Sequence, residues 1–202
     1  LMNSLTHAKR FFSTKRNVVI VGAKRTPIGS FMGTLSNFSA SQLGVVATKG
    51  ALEQANLSAQ DVDEVYYGNV MQAGQGQAPA RQVCLGSGMK VDTPCTTINK
   101  VCSSGMKSVM IGASAIALGD RDIIVAGGME NMSKIPHLIY LRKPTGYGPA
   151  QITDGIQFDC LTDVYNNILM GACTEKVASE MNITREAQDE YANKSYLRAR
   201  KA

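Results

Sequence analysis

A strand end, a tight turn and a long helix follow one another between Thr96 and Gly119, and this succession constrains the fold most. The strand end Thr96-Thr97-Ile98 is short, β-branched and apolar. After the turn, apolar side chains recur at helical spacing until Gly119 ends the helix. The residues at this spacing are Met106, Val109, Met110, Ala113 and Ala117. Cys102 is therefore predicted to lie at a strand-to-helix turn.

The position of Cys102 favours a reactive thiolate. Free backbone N–H groups and the positive end of the helix dipole point at the first turn of a helix. Thiolates so placed have pKa values of roughly 3.5–7.5, against about 8.5 for free cysteine. Ser103, Ser104 and Gly105 are small and leave room for a substrate carbonyl beside the sulfur. The sequence thus predicts a nucleophilic Cys102, and the alternative is a cysteine that only packs in the core.

Strand and helix patterns alternate through the first part of the chain, which indicates an α/β sheet. The first predicted strand, Val18–Val21, is an unbroken apolar run of the kind that is buried on both faces. The other predicted strands are Val65–Val70, a strand that ends with Thr96–Ile98, and Ile123–Ala126. Helices are predicted from the N-cap Ser41 to Ala55, from Pro79 to Leu85, and after Cys102. Ligands of such sheets bind beyond the carboxyl ends of the strands, where Cys102 is expected.

Beyond Gly128 the periodicity is interrupted by proline and glycine, which predicts a long excursion from the sheet. Helices then resume with an apolar stripe that begins at Met170, and another helix begins near the N-cap candidate Thr184. That last helix meets no stop signal, and Leu1 precedes Met2. We therefore expect a fragment with a leader over 1–16, an α/β domain over 17–130 and a partial loop domain over 131–202.

The charge is concentrated at the start of the chain. Four of the positive charges behind the net +5 lie within residues 1–16, and no acidic residue precedes Glu53. The remainder is almost neutral, so we expect no nucleic-acid-binding face. A basic, acid-free leader with Ser, Thr and Phe predicts a mitochondrial transit peptide, and the alternative is an unstructured basic tail.

The five cysteines are odd in number and contain no C-x-x-C pair, so we expect neither a disulfide framework nor a zinc site. A reducing compartment such as the mitochondrial matrix fits this pattern. No stretch approaches the ~18–20 apolar residues of a membrane-spanning helix, and no membrane partner is expected.

Segments around and beyond Cys102 resemble the thiolase family. Asn99, Cys102, Ser104 and Gly105 match the spacing of its nucleophile motif. Residues 18–29, 67–82 and 125–133 are similar to its first strand, its second strand with the following helix entry, and the segment that leads into its loop domain. Residues 161–166 and 195–196 resemble, more narrowly, mitochondrial members that act on acetoacetyl-CoA.

The resemblance implies an α/β fold with a mixed sheet and helices on both faces, followed by part of an irregular, helical loop domain. It implies that Cys102 carries an acyl group while acetoacetyl-CoA and CoA interconvert with two acetyl-CoA. Met170 matches a residue of the acyl and pantetheine pocket, His137 one near it, and Tyr196 one that contacts CoA and helps to hold a potassium ion. The alternatives are a core Met, a surface His and a packed Tyr, of which only the surface His is favoured.

The resemblance further implies a CoA thioester as substrate, no required cofactor beyond that possible potassium site, a mitochondrial matrix location, and a homo-oligomer built as a dimer of dimers. Departures from the family pattern affect fine specificity, and they are Ala78 for Asn, Cys160 for Gly, Leu169 for His and Lys194 for Asn. The family segments that supply a catalytic histidine and a second cysteine are absent from this sequence. We therefore expect the fragment alone to be inactive.

The alternatives to an acyltransferase of this family are a ketoacyl synthase-like enzyme and a non-catalytic CoA-binding or assembly module.

We expect residues 1–16 to direct a fused reporter to mitochondria, with cleavage near Phe11 to Thr14, because the segment is basic and acid-free. Microscopy and N-terminal sequencing of the recovered reporter measure both outcomes. A matched fusion with the four basic residues replaced by Gln should stay in the cytosol. A cytosolic reporter from the unchanged segment, or a mature protein that keeps Lys9 and Arg10, would contradict this prediction.

Overall fold

A computed structural model of the chain describes residues 16–142 and 146–202. Apart from Arg16, the predicted leader lies outside the described residues. The chain divides into two compact units, 1–136 and 137–202, and each is described by itself.

The first unit is a three-stranded parallel sheet with three helices. Its elements are α1 (Ala40–Ala55), β1 (Glu64–Gly68), α2 (Pro79–Gly86), β2 (Cys95–Ile98), α3 (Ser104–Leu118) and β3 (Ile124–Gly128), with 3₁₀ turns at Ala59–Asp61 and Met132–Lys134. The strand order is β2-β1-β3. Gly68 is in register with both Ile98 and Gly128, so the three carboxyl ends are level. The predicted α/β class is confirmed, and within the described residues this sheet is parallel throughout.

Helices cover both faces of this sheet because successive side chains of a strand point to opposite faces. On one face, Tyr67 of β1 packs under α1, where its hydroxyl lies 2.8 Å from Thr48 Oγ1 and donates to the Gly44 carbonyl at 3.2 Å. On the other face, α3 packs on β3. There a Cβ at Gly112 would lie 3.1 Å from Ile124 Cγ2, so a small residue permits this packing.

The α1 helix begins two residues earlier than its sequence suggests. Its N-cap is Ser39, whose Oγ accepts the Gln42 N–H at 3.1 Å while the Ser39 N–H donates to Gln42 Oε1 at 2.8 Å. The predicted N-cap, Ser41, is instead buried in the first turn. A reciprocal capping box needs Gln or Glu three residues after the cap. Ser39 has Gln42 at that spacing, whereas Ser41 has Gly44.

The predicted strand Val18–Val21 is wrong. The segment forms no strand, and Val18 and Ile20 are 39% and 79% exposed. The backbone on either side of the segment is hydrogen-bonded to helices. The Arg16 N–H donates to the Ala117 carbonyl, and the Ala23 N–H donates to Gln54 Oε1. An apolar run indicates that burial is favourable, but a strand also needs a hydrogen-bonded neighbour, and the described chain pairs no strand with this segment.

By length and composition alone, the stretch Val101–Leu118 is long and apolar enough to cross a membrane, with a mean hydropathy of 1.4. No such stretch was expected from the sequence. The helix itself, α3, has 15 residues and packs on the sheet. Ser104, Ser108 and Gly112 are buried on its sheet-facing side, whereas Met106 and Met110 are exposed.

The described part of the second unit contains two pairs of short antiparallel strands, one π-helical segment and two α-helices. The strands β4 (His137–Leu138) and β5 (Thr153–Asp154) pair antiparallel, as do β6 (Thr162–Asp163) and β7 (Ile168–Leu169). A π-helical segment at Gln157–Leu161 precedes β6, and α4 (Met170–Glu180) and α5 (Arg185–Lys201) follow β7. Thr184 is the N-cap of α5, as predicted.

We expect Ala78→Gly to raise the free energy of unfolding by about 0.5–1 kcal/mol. Ala78 has φ 48° and ψ 70°, a left-handed conformation that costs L-residues roughly 1–2 kcal/mol, while the added freedom of glycine offsets about half of this gain. Urea unfolding measures the change. The control, Ala47→Gly inside α1, should lower stability by about 0.5–1 kcal/mol. A less stable Ala78→Gly protein would show that this conformation carries no strain.

Candidate functional site

The candidate site lies beyond the level carboxyl ends of β1, β2 and β3. The chain leaves these ends as Asn69, Asn99 and Met129. Backbone hydrogen bonds tie the three exits together, because Asn69 N–H donates to Ile98 O at 3.0 Å and Met129 N–H to Gly68 O at 2.9 Å. Ligands of parallel sheets bind at this edge.

The first turn of α3 sits directly against these strand ends. A Cβ built on Gly68 would lie 2.5 Å from the backbone nitrogen of Gly105, a distance that no real side chain tolerates. A Cβ on Gly128 would lie 3.1 Å from the Gly105 Cα atom. Glycine at both strand ends therefore allows the helix to approach the sheet this closely. This contact fixes where the helix begins.

The residue before Cys102 has an unusual backbone conformation. Val101 has φ 48°, which a β-branched side chain rarely adopts. Hydrogen bonds hold it there: its N–H donates to Asn99 Oδ1 at 3.0 Å, and its carbonyl accepts the Ser104 hydroxyl at 2.5 Å. Ser104 Oγ also accepts the Lys100 N–H at 2.8 Å. Strain of this kind occurs where a site over-determines the backbone.

Cys102 is exposed, and Ser103 after it is the N-cap of α3. The Ser103 side chain makes no capping hydrogen bond, so it does not occupy the N–H groups of the first turn. The Ser103 and Ser104 N–H groups already donate to the Lys100 and Val101 carbonyls. Stabilisation of negative charge on a carbonyl oxygen next to the sulfur would therefore need N–H groups further along the first turn. The arrangement suits a nucleophile that attacks a carbonyl carbon, and the exposure of Cys102 disfavours the core-packing alternative.

Glu130, the second residue after β3, accepts hydrogen bonds from three donors at the exit of β1. Its carboxylate accepts the Val70 N–H at 2.8 Å, the Met71 N–H at 3.2 Å and Asn69 Nδ2 at 2.9 Å. Burial raises the pKa of the Glu130 carboxyl above its ordinary value, and these three hydrogen bonds oppose the rise. Asn99 Nδ2 donates to Val70 O at 3.3 Å, so the same segment also contacts the Cys102 turn.

Sequence reasoning assigned no role to Glu130 or Asn69, although both lie in segments that resemble the family. The signal that points to them is position, since each follows the end of a parallel strand. Asn69 is 1% exposed, which is unusual for an amide side chain, and a buried amide of this kind needs hydrogen-bond partners.

The other predicted site residues lie in the second unit, on three different elements. His137 is in β4, with its Nε2 atom 3.9 Å from Asp154 Oδ2. Met170 is the first residue of α4 and is 49% exposed, and Tyr196 is 74% exposed on α5. None of the three is packed in a core within this unit.

A cavity of about 330 Å³ in the first unit lies beside Glu130 and does not include Cys102. It is lined mainly by residues 25–31 and 130–133, together with Leu35, Ser36 and Leu43. Within residues 16–142 and 146–202, no group of three or more His, Cys, Asp or Glu side chains is placed to bind a metal ion.

Comparison with known proteins gives consistent matches. The family description "Thiolase, N-terminal domain" matches residues 18–202. Mitochondrial acetyl-CoA acetyltransferases from Bos taurus and Homo sapiens are 50% and 48% identical to the chain and are matched over 100% of it, but over only 48% of their own length. The chain thus spans about half the length of these curated relatives.

A solved structure supports the same relationship. The Acat5 thiolase of Ascaris suum, crystallised with coenzyme A, superposes with a TM-score of 0.87 at 43% identity. The match covers 91% of this chain and 48% of the Ascaris chain. The family resemblance stated from the sequence is therefore confirmed.

We expect iodoacetamide to label Cys102 at least tenfold faster than Cys84. Cys102 is exposed, whereas Cys84 is fully buried, and burial raises the pKa of its thiol to about 12. At pH 8 a thiol with that pKa is ionised in only about one molecule in 10⁴, and the thiolate is the nucleophile. Peptide mass mapping of a time course measures the order, with Cys102→Ser as control. Earlier labelling of Cys84 would contradict the assignment.

Proposed function

Because the chain belongs to the thiolase family, we propose that it forms the nucleophile-bearing half of an acetyl-CoA acetyltransferase. The observation that carries the proposal is an exposed Cys102 beside the start of α3, after a strained Val101 and at the level ends of three parallel strands. The names of the full-length relatives indicate the same activity.

In the proposed reaction, Cys102 Sγ attacks the 3-keto carbon of acetoacetyl-CoA. The new S–C bond forms, the bond between C2 and C3 of the substrate breaks, and acetyl-CoA leaves after its carbanion takes up a proton. The sulfur of a second CoA then attacks the thioester on Cys102, which gives another acetyl-CoA and restores the thiolate. We propose that backbone N–H groups of the first turn of α3, beyond the Ser103 and Ser104 N–H groups that already donate to carbonyls, stabilise the oxyanion of each tetrahedral intermediate. The synthetic direction reverses these steps.

Two proton transfers in this reaction need further groups, and the described residues of the first unit, 16–136, include no histidine. A base must take the thiol proton of Cys102, and another group must move the proton at the α-carbon. The one histidine among the described residues, His137, lies in the second unit. We propose that segments beyond this chain supply both groups, and that the 202-residue chain alone does not turn over.

For substrate binding, we propose that Met170 lines the acyl and pantetheine pocket and that Tyr196 and His137 contact CoA. Their exposure in the second unit leaves all three accessible to a ligand. A potassium ion beside Tyr196 would require several oxygen ligands in place of its hydration shell. One exposed phenol oxygen does not meet that requirement.

We further propose that residues 1–16 are a transit peptide, that 17–130 form the thiolase N-terminal domain, and that 131–202 form part of the loop domain. The named relatives are mitochondrial, which supports a matrix location. We propose that the complete protein is a homo-oligomer, a dimer of dimers, that binds neither nucleic acid nor membrane.

The test is acyl-enzyme trapping with acetyl-CoA, followed by peptide mass mapping. In a full-length protein that contains this half, Cys102 should gain an acetyl group and thiolysis should proceed, while Cys102→Ser should abolish both. Cys173→Ser is the matched control and should keep activity. Residues 17–202 alone should give no detectable condensation, since each general acid or base contributes roughly 10²–10⁴-fold.

Three results would overturn the proposal. Acetylation of another cysteine would remove Cys102 as the nucleophile. Turnover by residues 17–202 near the full-length rate would show that no missing group is needed. Tight CoA binding by the full-length protein without any acyl-enzyme would favour the non-catalytic CoA-binding alternative.

A further inference from the structure

Glu130 is a half-buried carboxylate without a cationic partner in the part of the chain that the structure describes. Its oxygens accept three hydrogen bonds, two of them from consecutive backbone N–H groups, Val70 and Met71. Bonds to an ionised carboxylate are among the stronger hydrogen bonds in proteins. They pin the backbone of 69–71 to the end of β3.

The pinned segment in turn holds the Cys102 turn through Asn99. The Val70 carbonyl accepts Asn99 Nδ2 at 3.3 Å, and Asn99 Oδ1 accepts the Val101 N–H at 3.0 Å. One amide side chain therefore connects the segment that Glu130 holds with the residue whose φ is 48°. Val101 would relax towards an ordinary conformation if Asn99 moved, because nothing intrinsic to valine favours a positive φ.

We infer that Glu130 is a positioning residue for Cys102. It acts through 69–71 and Asn99 to keep Val101 in its strained conformation and the Cys102 sulfur at the start of α3. The inference rests on the proposed function of Cys102 as nucleophile.

The neighbouring Asn69 supports a positioning role rather than simple packing. Its amide nitrogen donates to Glu130 Oε1 and to the Met129 carbonyl, while its own buried Oδ1 has no hydrogen-bond partner in the described residues. Buried polar atoms are nearly always paired, and a buried carboxylate is costly unless it is paired. An apolar contact would hold the strand ends together at less cost, but it would not fix backbone N–H groups in direction.

The experiment is a double-mutant cycle of Glu130→Ala and Asn99→Ala, read out as the rate at which iodoacetamide alkylates Cys102 in this chain. We expect each single variant to slow alkylation about tenfold, since the thiolate is the nucleophile and backbone N–H groups at a helix start favour negative charge beside them. The double variant should be no slower than either single variant, because both act on one route. Glu130→Gln keeps one acceptor oxygen and should stay within about threefold of the unchanged protein.

Glu53→Ala is the matched control, since it removes an exposed carboxylate from the same unit and should not change alkylation. Urea unfolding of every variant shows whether the unit remains folded. Additive losses in the double variant, or alkylation of Glu130→Ala at the unchanged rate, would overturn the inference.

The same variants in the full-length protein separate this inference from the proposed function. Glu130→Ala should lower kcat for Cys102 acetylation about tenfold or more and leave KM within twofold, as expected for a group that does not touch substrate. If the unchanged full-length protein forms no acetyl-enzyme, the proposed function fails while the alkylation cycle still decides the role of Glu130. If it does form one and Glu130→Ala matches its kcat, the inference alone fails.

Discussion

The close approach of α3 to the ends of β1 and β3 is the constraint on which the site depends. A Cβ at Gly68 would overlap the backbone of Ser104 and Gly105, so the helix can begin where it does only because the strand ends in glycine. Once the helix start is fixed, the preceding turn must cross from β2 to α3 within a few residues. Within that short crossing Val101 has a left-handed backbone, held by hydrogen bonds with Asn99 and Ser104, and Cys102 is exposed at the edge of the sheet.

Local signals in the sequence predicted the elements that local interactions determine. Pro79 at the start of α2 and Gly119 in a left-handed conformation at the end of α3 are examples, since each residue specifies its own backbone. The N-cap of α1 was misplaced by two residues because two serines compete, and only the reciprocal bond with Gln42 decides between them. Val18–Val21 failed for a different reason. An apolar β-branched run favours burial, whereas strand pairing depends on which strands lie next to it in the fold.

The site divides in the same way. Cys102 was predicted because its strand, turn and helix are contiguous in the sequence. Glu130 was missed because its three hydrogen bonds join residues about sixty positions apart, which only the sheet order brings together. The same applies to the link from Val70 to Asn99, which spans 29 positions. In a parallel sheet every strand end is brought to one edge by a crossover, so contacts at that edge are non-local by construction.

This non-locality separates two requirements of the proposed chemistry. In the inferred arrangement, hydrogen bonds that run from Glu130 through Val70 and Asn99 to Val101 help to place the sulfur, and all of these residues belong to the first unit. Proton transfer needs a base, and the described residues 16–136 of this unit include no histidine. A nucleophile can therefore be held in position by one part of the protein while the base that activates it comes from another part. Preorganisation and activation then come from different parts of the protein, so a change at the strand ends would alter the placement of Cys102 without altering the base.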